Sequence, residues 1–293
     1  MTRGIDHLVL AVRDLDKARA FYETLGFTLT PRAQHPWGTA NHLVQMNGCF
    51  LEILGIADPA KIPAHKPGEF SFGAHNRDFL AAREGMSMLV FQSHDARRDQ
   101  AEFAASGLHT YAPFDFGREA KLPDGGTAHV AFSLAFVTDP RMPDSAFFTC
   151  QQHAPQYFWK REYQAHANGA RTIAEAIMVA PEPPALTSFF AKLQGTVSVR
   201  VNDGTLGVAT ARGRITVLTA EAFDRRFPDD GARAADAPPT PYFAAFSIAC
   251  SDIEAAANLL SRNGVDHILG GTKLYPQVSA STAFGVAIEF APL

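Results

Sequence analysis

The chain has 293 residues, 46% of them hydrophobic, and a formal net charge of −4. That length can bury one large core or two smaller ones and favours about two domains. With no run of five or more like charges, it lacks the basic stripe of a nucleic-acid surface, and that class of partner is excluded.

No apolar segment approaches the roughly 18 residues of a membrane span. The N-terminus enters a strand pattern directly, without an apolar signal region, so a cytoplasmic location is expected. Cys49, Cys150 and Cys250 lie far apart with no CxxC spacing, which suits a reducing compartment better than a disulfide framework.

In chain order, Gly4–Val12 alternates: His7, Val9 and Ala11 share one strand face, and Leu8, Leu10 and Val12 the other. Asp14 caps a helical segment, Leu15–Leu25, that Gly26 stops. Phe27–Thr30 reads as a strand, and the loop His35-Pro36-Trp37-Gly38 leads to a strand at Asn41–Met46. Asn47-Gly48 is a hairpin dipeptide opening the strand Phe50–Leu54, which carries Glu52. The order is βαβββ. If this unit closes as its pattern implies, His7 and Glu52 face one cavity.

Residues 57–84, rich in proline and then charged around Asn76–Arg83, read as an inserted surface loop with the character of a lid. The unit then recurs: strand Met86–Ser93, helix Asp95–Ala105, Gly107, strands Leu108–Phe116 and Ala128–Val137 around the turn Pro123-Asp124-Gly125-Gly126, and Ala146–Gln152. A polar and aromatic crossing, Pro155–Ala170, joins the halves. Its His166-Ala167-Asn168-Gly169 is read as interdomain structure.

The third copy has strand Arg171–Ala180, helix Pro184–Leu193, Gly195, and strands Thr196–Val201, Leu206–Ala211 and Ile215–Leu218. Residues 224–241 read as a connector. The fourth copy has strand Phe243–Ala249, a helix capped by Ser251-Asp252-Ile253-Glu254 and stopped at Asn263-Gly264, and strands His267–Leu269, Val278–Ala283 and Val286–Phe290. Four such units form a repeat, because each one-faced sheet must pack on a sibling. The expected fold is α+β: four βαβββ modules paired into two curved half-barrel sheets. The expected domains are 1–157, with the insert at 57–84, and 158–293.

The segment Gly4–Leu15, the helix ending Leu25-Gly26-Phe27, the loop His35–Asn41 and Phe50-Leu51-Glu52-Ile53-Leu54 resemble the glyoxalase-like domain of the vicinal oxygen chelate superfamily. The strong part of the resemblance covers residues 4–56, with weaker support to about 180. It implies cupped sheets in which a divalent metal lies between ligands on the first and last strands of paired units. It also implies chemistries from glyoxalase isomerisation to extradiol ring cleavage and metal-free drug binding, and a homodimer as one arrangement.

His7 and Glu52 occupy those first-strand and last-strand positions. An imidazole and a carboxylate suit Zn, Fe, Mn or Ni, and Glu52 also reads as a proton shuttle. The bland alternative for His7 is a hydrogen-bonded core histidine. A third ligand is open between Cys150 as thiolate, His129, His42 and a residue from another subunit. Counting back from the helix ends places Met88, Ala176 and Ala245 where His7 stands, and counting along the last strands places Cys150 where Glu52 stands. Only Glu289 repeats the acidic position. His35, Trp37, Asn41 and His42 are candidate substrate-binding residues, against a plain turn in which Trp37 packs beneath Pro36 and Gly38.

The leading expectation is a small-molecule metalloenzyme of lyase or isomerase type, acting on vicinal oxygens attached to an apolar or aromatic body. The alternatives are a metal-free sequestration protein and an extradiol-type dioxygenase. No GxSxG, GxGxxG or HExxH motif occurs.

Overall fold

The computed structural model describes residues 2–121, 126–230 and 238–293. The first unit comprises β1 (Ile5–Ala11), α1 (Leu15–Thr24), β2 (Ala33–Gln34), β3 (Thr39–Gln45) and β4 (Phe50–Ile56). An insert carrying α2 (Phe72–Ala82) leads to the second: β5 (Gly85–Ser93), α3 (Ala96–Ala105), β6 (His109–Thr110), β7 (Phe114–Lys121), β8 (Thr127–Thr138) and β9 (Ala146–Gln152). Most of the turn expected at Pro123-Asp124-Gly125-Gly126 lies outside the described residues.

The short α4 (Pro155–Phe158) crosses to the third unit: β10 (Ala170–Val179), α5 (Thr187–Gln194), β11 (Val199–Asn202), β12 (Thr205–Ala209) and β13 (Arg214–Leu218). The helix α6 (Ala220–Arg226) precedes the fourth: β14 (Tyr242–Cys250), α7 (Ile253–Arg262), β15 (Ile268–Gly270), β16 (Tyr275–Val278) and β17 (Ala287–Pro292).

Local chemistry sets these boundaries. Asp14, Asp95 and Asp252 each accept the backbone N–H three residues on, starting α1, α3 and α7 at equivalent places. The third unit lacks that cap; α5 is entered through a 3₁₀ turn at Pro183–Leu186 instead.

The strands form two sheets, ordered β2-β3-β4-β1-β5-β9-β8-β6, with β7 on β8, and β11-β12-β13-β10-β14-β17-β16-β15. In each unit the first and last strands pair in parallel, and the first strands of sibling units pair antiparallel at the sheet centre. This is the vicinal oxygen chelate architecture, α+β with four modules and two curved sheets.

Alternation along the central strands divides the interior. Leu8 and Leu10 of β1, Ile173 and Met178 of β10, Tyr22 of α1, Phe103 of α3, Phe189 and Phe190 of α5 and Leu260 of α7 belong to one continuous buried cluster. The helices thus share a core between the sheets. The opposite faces are two separate cups with their own apolar clusters, one around Val9, Phe50 and Phe148 and the other around Ile177, Phe227 and Ala245. The crossing ties the halves together: His166 accepts the Thr28 N–H at Nδ1 (3.0 Å), and Asn168 donates to the Leu25 carbonyl (2.9 Å).

Several elements depart from the sequence reading. Phe27–Thr30 is not a strand, because the Thr28 N–H is taken by the His166 side chain while Phe27 and Leu29 turn into the shared core. The insert is a packed wall rather than a surface loop. Phe70 stacks on Phe136 with ring centres 4.1 Å apart, and Phe72 meets Trp37 edge-on at 5.8 Å. The supposed connector at 224–241 overlaps α6, whose start Thr219 caps by accepting the Ala222 N–H (3.2 Å); residues 231–237 lie outside the described set. Among the described residues no helix is long and apolar enough to cross a membrane.

Candidate active site

His7 and Glu52 meet inside the first cup. In the β1–β4 register Val9 lies opposite Glu52 and His7 opposite Phe50, so the two side chains are diagonal neighbours on one face. His7 Nε2 is 3.7 Å from Glu52 Oε2, and the residues are 4% and 5% exposed. The His7 ring stacks on Phe50, with centroids 4.2 Å apart and planes 14° from parallel, which fixes its orientation.

His7 Nδ1 lies 2.7 Å from Asp6 Oδ1. A carboxylate can only accept, so the network assigns a ring proton to Nδ1, and in the neutral ring Nε2 is then the basic nitrogen on the cavity side. Alternation would send Asp6 to the opposite face. The register between β1 and β5 shifts between Ile5 and His7, and this bulge turns the Asp6 carboxylate back toward the imidazole. Gln152 Nε2 donates to the other Asp6 oxygen at 3.3 Å.

Glu52 is buried but not bare. Asn41 Nδ2 donates to its Oε1 at 2.6 Å, a charge-assisted bond that offsets part of the desolvation. His35 Nε2 lies 3.8 Å from the same oxygen. The His35 ring is held by Thr39 Oγ1 at 2.8 Å from Nδ1 and by stacking on Trp37 at 4.8 Å.

A water-sized sphere finds about 50 Å³ of free space in the cavity around this cluster. Beyond the polar floor its walls are largely aromatic, with Phe72 from the insert, Phe116 and Phe132 from the second unit, and Phe158 from the crossing. Two buried polar atoms of residues in this lining, Trp37 Nε1 and Asn41 Oδ1, have no hydrogen-bond partner among the described residues. Buried polar atoms are rarely left so.

The structure therefore brings together His7, Glu52, His35, Trp37, Asn41 and Cys150, all of which line the cavity. It does not bring the others. His42 points to the opposite face of β3, as alternation demands between Asn41 and Leu43, and is held by the Thr30 carbonyl 2.8 Å from Nδ1. His129 is exposed on β8 beside Glu119 (3.2 Å). The register places Phe148 opposite Val90 as Glu52 lies opposite Val9, so Phe148 rather than Cys150 is the counterpart of Glu52. Burial and the nearby Asp6 and Glu52 carboxylates push the Cys150 thiol well above its usual range. Asp6, which the sequence reading passed over, carries the usual mark of a functional histidine, an acidic neighbour; only the bulge makes the contact.

Among the described residues no group of three or more His, Cys, Asp or Glu side chains is arranged to hold a metal ion. A divalent ion in this cup would look to His7 and His35, whose Nε2 atoms lie 3.7 and 3.8 Å from the two oxygens of Glu52 between them, but the three are not gathered as the ligands of an ordinary catalytic centre are. The residues present do not fit a complete metal centre.

A profile of the glyoxalase-like domain matches residues 5–194. No curated protein matches the chain. Solved structures resemble it along nearly its whole length. A hypothetical protein from Staphylococcus aureus is 12% identical, with a TM-score of 0.67 and 99% of each chain covered. A xylose isomerase-like TIM barrel/4-hydroxyphenylpyruvate dioxygenase fusion protein is 15% identical, with a TM-score of 0.56 over 92% of this chain and 40% of that one. A mutant of 4-hydroxymandelate synthase from Streptomyces coelicolor is 11% identical, with a TM-score of 0.56 over 91% of this chain and 76% of that one. At these identities the likeness concerns the fold. With more than half its length matched by the profile, the chain belongs to the glyoxalase-like domain family, within the vicinal oxygen chelate superfamily.

Proposed function

We propose that the first cup is the active site of a small-molecule enzyme of lyase or isomerase type, whose substrate has an apolar or aromatic body and an oxygen-bearing head. The observation that carries this is the buried pair His7 Nε2 and Glu52 Oε2, 3.7 Å apart on the floor of a phenylalanine-walled cavity. The body packs among Phe72, Phe116, Phe132 and Phe158. The head lies over the polar floor, where the Trp37 Nε1–H donates to a substrate oxygen and Asn41 Oδ1 accepts from a substrate hydroxyl.

In this reading His7, its proton fixed on Nδ1 by Asp6, takes a proton at Nε2 from a carbon beside a carbonyl. The charge moves onto the carbonyl oxygen, and the proton returns to the substrate from His7 or through Glu52. Positioned general bases contribute roughly 10²–10⁴-fold, so His7→Asn and Glu52→Gln should each lower turnover by that order. The experiment is deuterium exchange in D₂O, followed by NMR, across a panel of aromatic and aliphatic 2-hydroxycarbonyl compounds. Wild-type exchange lost in both variants supports the assignment. Tight binding without exchange anywhere in the panel favours sequestration instead.

Metal dependence is tested separately. Donors as loosely gathered as His7, Glu52 and His35 hold a divalent ion weakly, so elemental analysis of dialysed, chelator-free protein should find well under one ion per chain. A full equivalent of Zn, Fe, Mn or Ni, lost in both His7→Ala and Glu52→Gln, would assign the ion to this cup and replace the metal-free route.

A further inference from the structure

The second cup carries acidic groups at the strand positions of His7 and Glu52, drawn from two sibling units rather than one. In the β14–β17 register Ser247 lies opposite Glu289, as Val9 lies opposite Glu52 in the first unit. Across the sheet centre Ser247 pairs with Glu175, as Val9 pairs with Met88, the His7 counterpart of its unit. Glu175 thus stands on the first strand of the third unit where His7 stands in the first. Glu289 stands on the last strand of the fourth where Glu52 stands. Both are buried, at 1% and 3% exposure.

The Arg226 side chain lies between them. Its Nη2 donates to Glu175 Oε2 at 2.7 Å and to Glu289 Oε1 at 2.6 Å, and its Nε donates to Glu289 Oε2 at 3.3 Å. The remaining carboxylate positions are filled around it. Arg214 donates to Glu175 at 2.9 Å and Gln277 to Glu289 at 3.0 Å, and the Thr216 and Ser247 hydroxyls donate one each. Gln277 also donates to the Arg226 carbonyl at 3.0 Å, fixing the end of α6 over the cup.

Burial alone would raise the Glu175 pKa, but the hydrogen bonds from Arg214 and Arg226 outweigh it and hold it down at about 2. Two buried carboxylates, each hydrogen-bonded and sharing the guanidinium of a side chain that is itself 24% exposed, satisfy the condition under which buried charges persist.

We propose that Arg226 is the built-in cation of the second cup: it joins Glu175 to Glu289 and fills the centre an outside ion or ligand would need. A cavity lined by Arg226, Ser247 and Glu289 lies over this centre. The carboxylates and the Ser247 and Thr216 hydroxyls are an all-oxygen set. With the guanidinium gone, they would accept either a free guanidinium ion or a hard divalent cation.

The test uses the full-length chain and Arg226→Ala, with millimolar guanidinium chloride and Mn²⁺ as probes in thermal melts. Arg226→Ala should melt well below wild type, and each probe should raise its midpoint by about 5 °C. The wild-type protein shows whatever response the first cup has, and Arg226→Ala/Glu289→Gln should lose the added response to Mn²⁺. A second arm replaces all three groups, as Arg226→Met/Glu175→Gln/Glu289→Gln. If the guanidinium neutralises the two carboxylates, this variant must be more stable than Arg226→Ala, the non-additivity expected of coupled charges. A folded Arg226→Ala that answers neither probe would overturn the proposal. So would a triple variant no more stable than the single one, including the case in which both fail to fold.

Discussion

Gly285→Ala is expected to destabilise the protein by roughly 2–5 kcal/mol, from an overpacking cost of about 1–3 kcal/mol and a left-handed backbone cost of about 1–2 kcal/mol. Gly285 has φ +89°, and a Cβ there would lie 2.2 Å from the Glu84 carbonyl oxygen and 2.5 Å from its carbon. These obstacles are backbone, so no side-chain rotation relieves the clash. Gly85 approaches from the other side, where an added Cβ would lie 2.8 Å from the Gly285 oxygen. The contact therefore locks the entry to β5 against the turn before β17, one backbone against another.

Gly264→Ala is the control: φ is +68° with nothing within 4 Å of the added atom. It should incur only the left-handed backbone cost of about 1–2 kcal/mol. Denaturant titrations of the two variants check the difference. Equal losses would mean that the close approach of the two halves contributes nothing.

Lowering the pH from 6.5 to 4 should remove about 3 kcal/mol of stability through His75 alone. His75 lies on α2, and burial drives its pKa down from 6.5 to about 4, against a bond to the Ser87 backbone and the charges of Asp144 and Asp78 that favour protonation. Its Nε2 has no partner among the described residues, and the Phe70 ring lies 5.5 Å away, so a second ring proton there would be buried without an acceptor from them. Between pH 6.5 and 4 the unfolded histidine binds a proton that the native one refuses. This contribution is complete above about 6.5, falls with pH through the window and levels off below about 4. His75→Phe should flatten that part of a stability–pH curve measured by denaturant unfolding. An unchanged slope would contradict the assignment.

The legible part of the sequence was its periodicity. Alternation in Gly4–Val12 and Phe50–Leu54 put His7 and Glu52 on one face, and the repeated capping aspartates and stop glycines exposed four units. What alternation could not show was where it breaks. The bulge that returns Asp6 to His7 has a counterpart in β10, where the register shifts between Ile173 and Glu175. That shift, with the extra 3₁₀ turn before α5, moved the counterpart of His7 from Ala176 to Glu175.

The cavity wall was equally hidden. Phe72, Phe116, Phe132 and Phe158 come from four separate elements, and composition cannot tell a lining phenylalanine from an ordinary core one. Arg226 was lost within a segment read as a connector. The Thr219 cap and the four-residue spacing of Phe223 and Phe227, which stack at 4.8 Å, were the helix signal to weigh there.

The central claim is that the first cup receives a small molecule above His7 and Glu52, and the chain carries its own reporters for it. It has two tryptophans. Trp37 lines the cavity, and Trp159 packs on Phe50 and Phe158 at ring distances of 5.9 and 5.0 Å. Titration of ¹⁵N-labelled protein with aromatic 2-hydroxycarbonyl compounds should shift both indole N–H signals and the His7 imidazole together, leaving the Arg226 side-chain signals in place. A compound that binds and protects the protein against unfolding, yet moves neither indole nor His7, would place the site elsewhere.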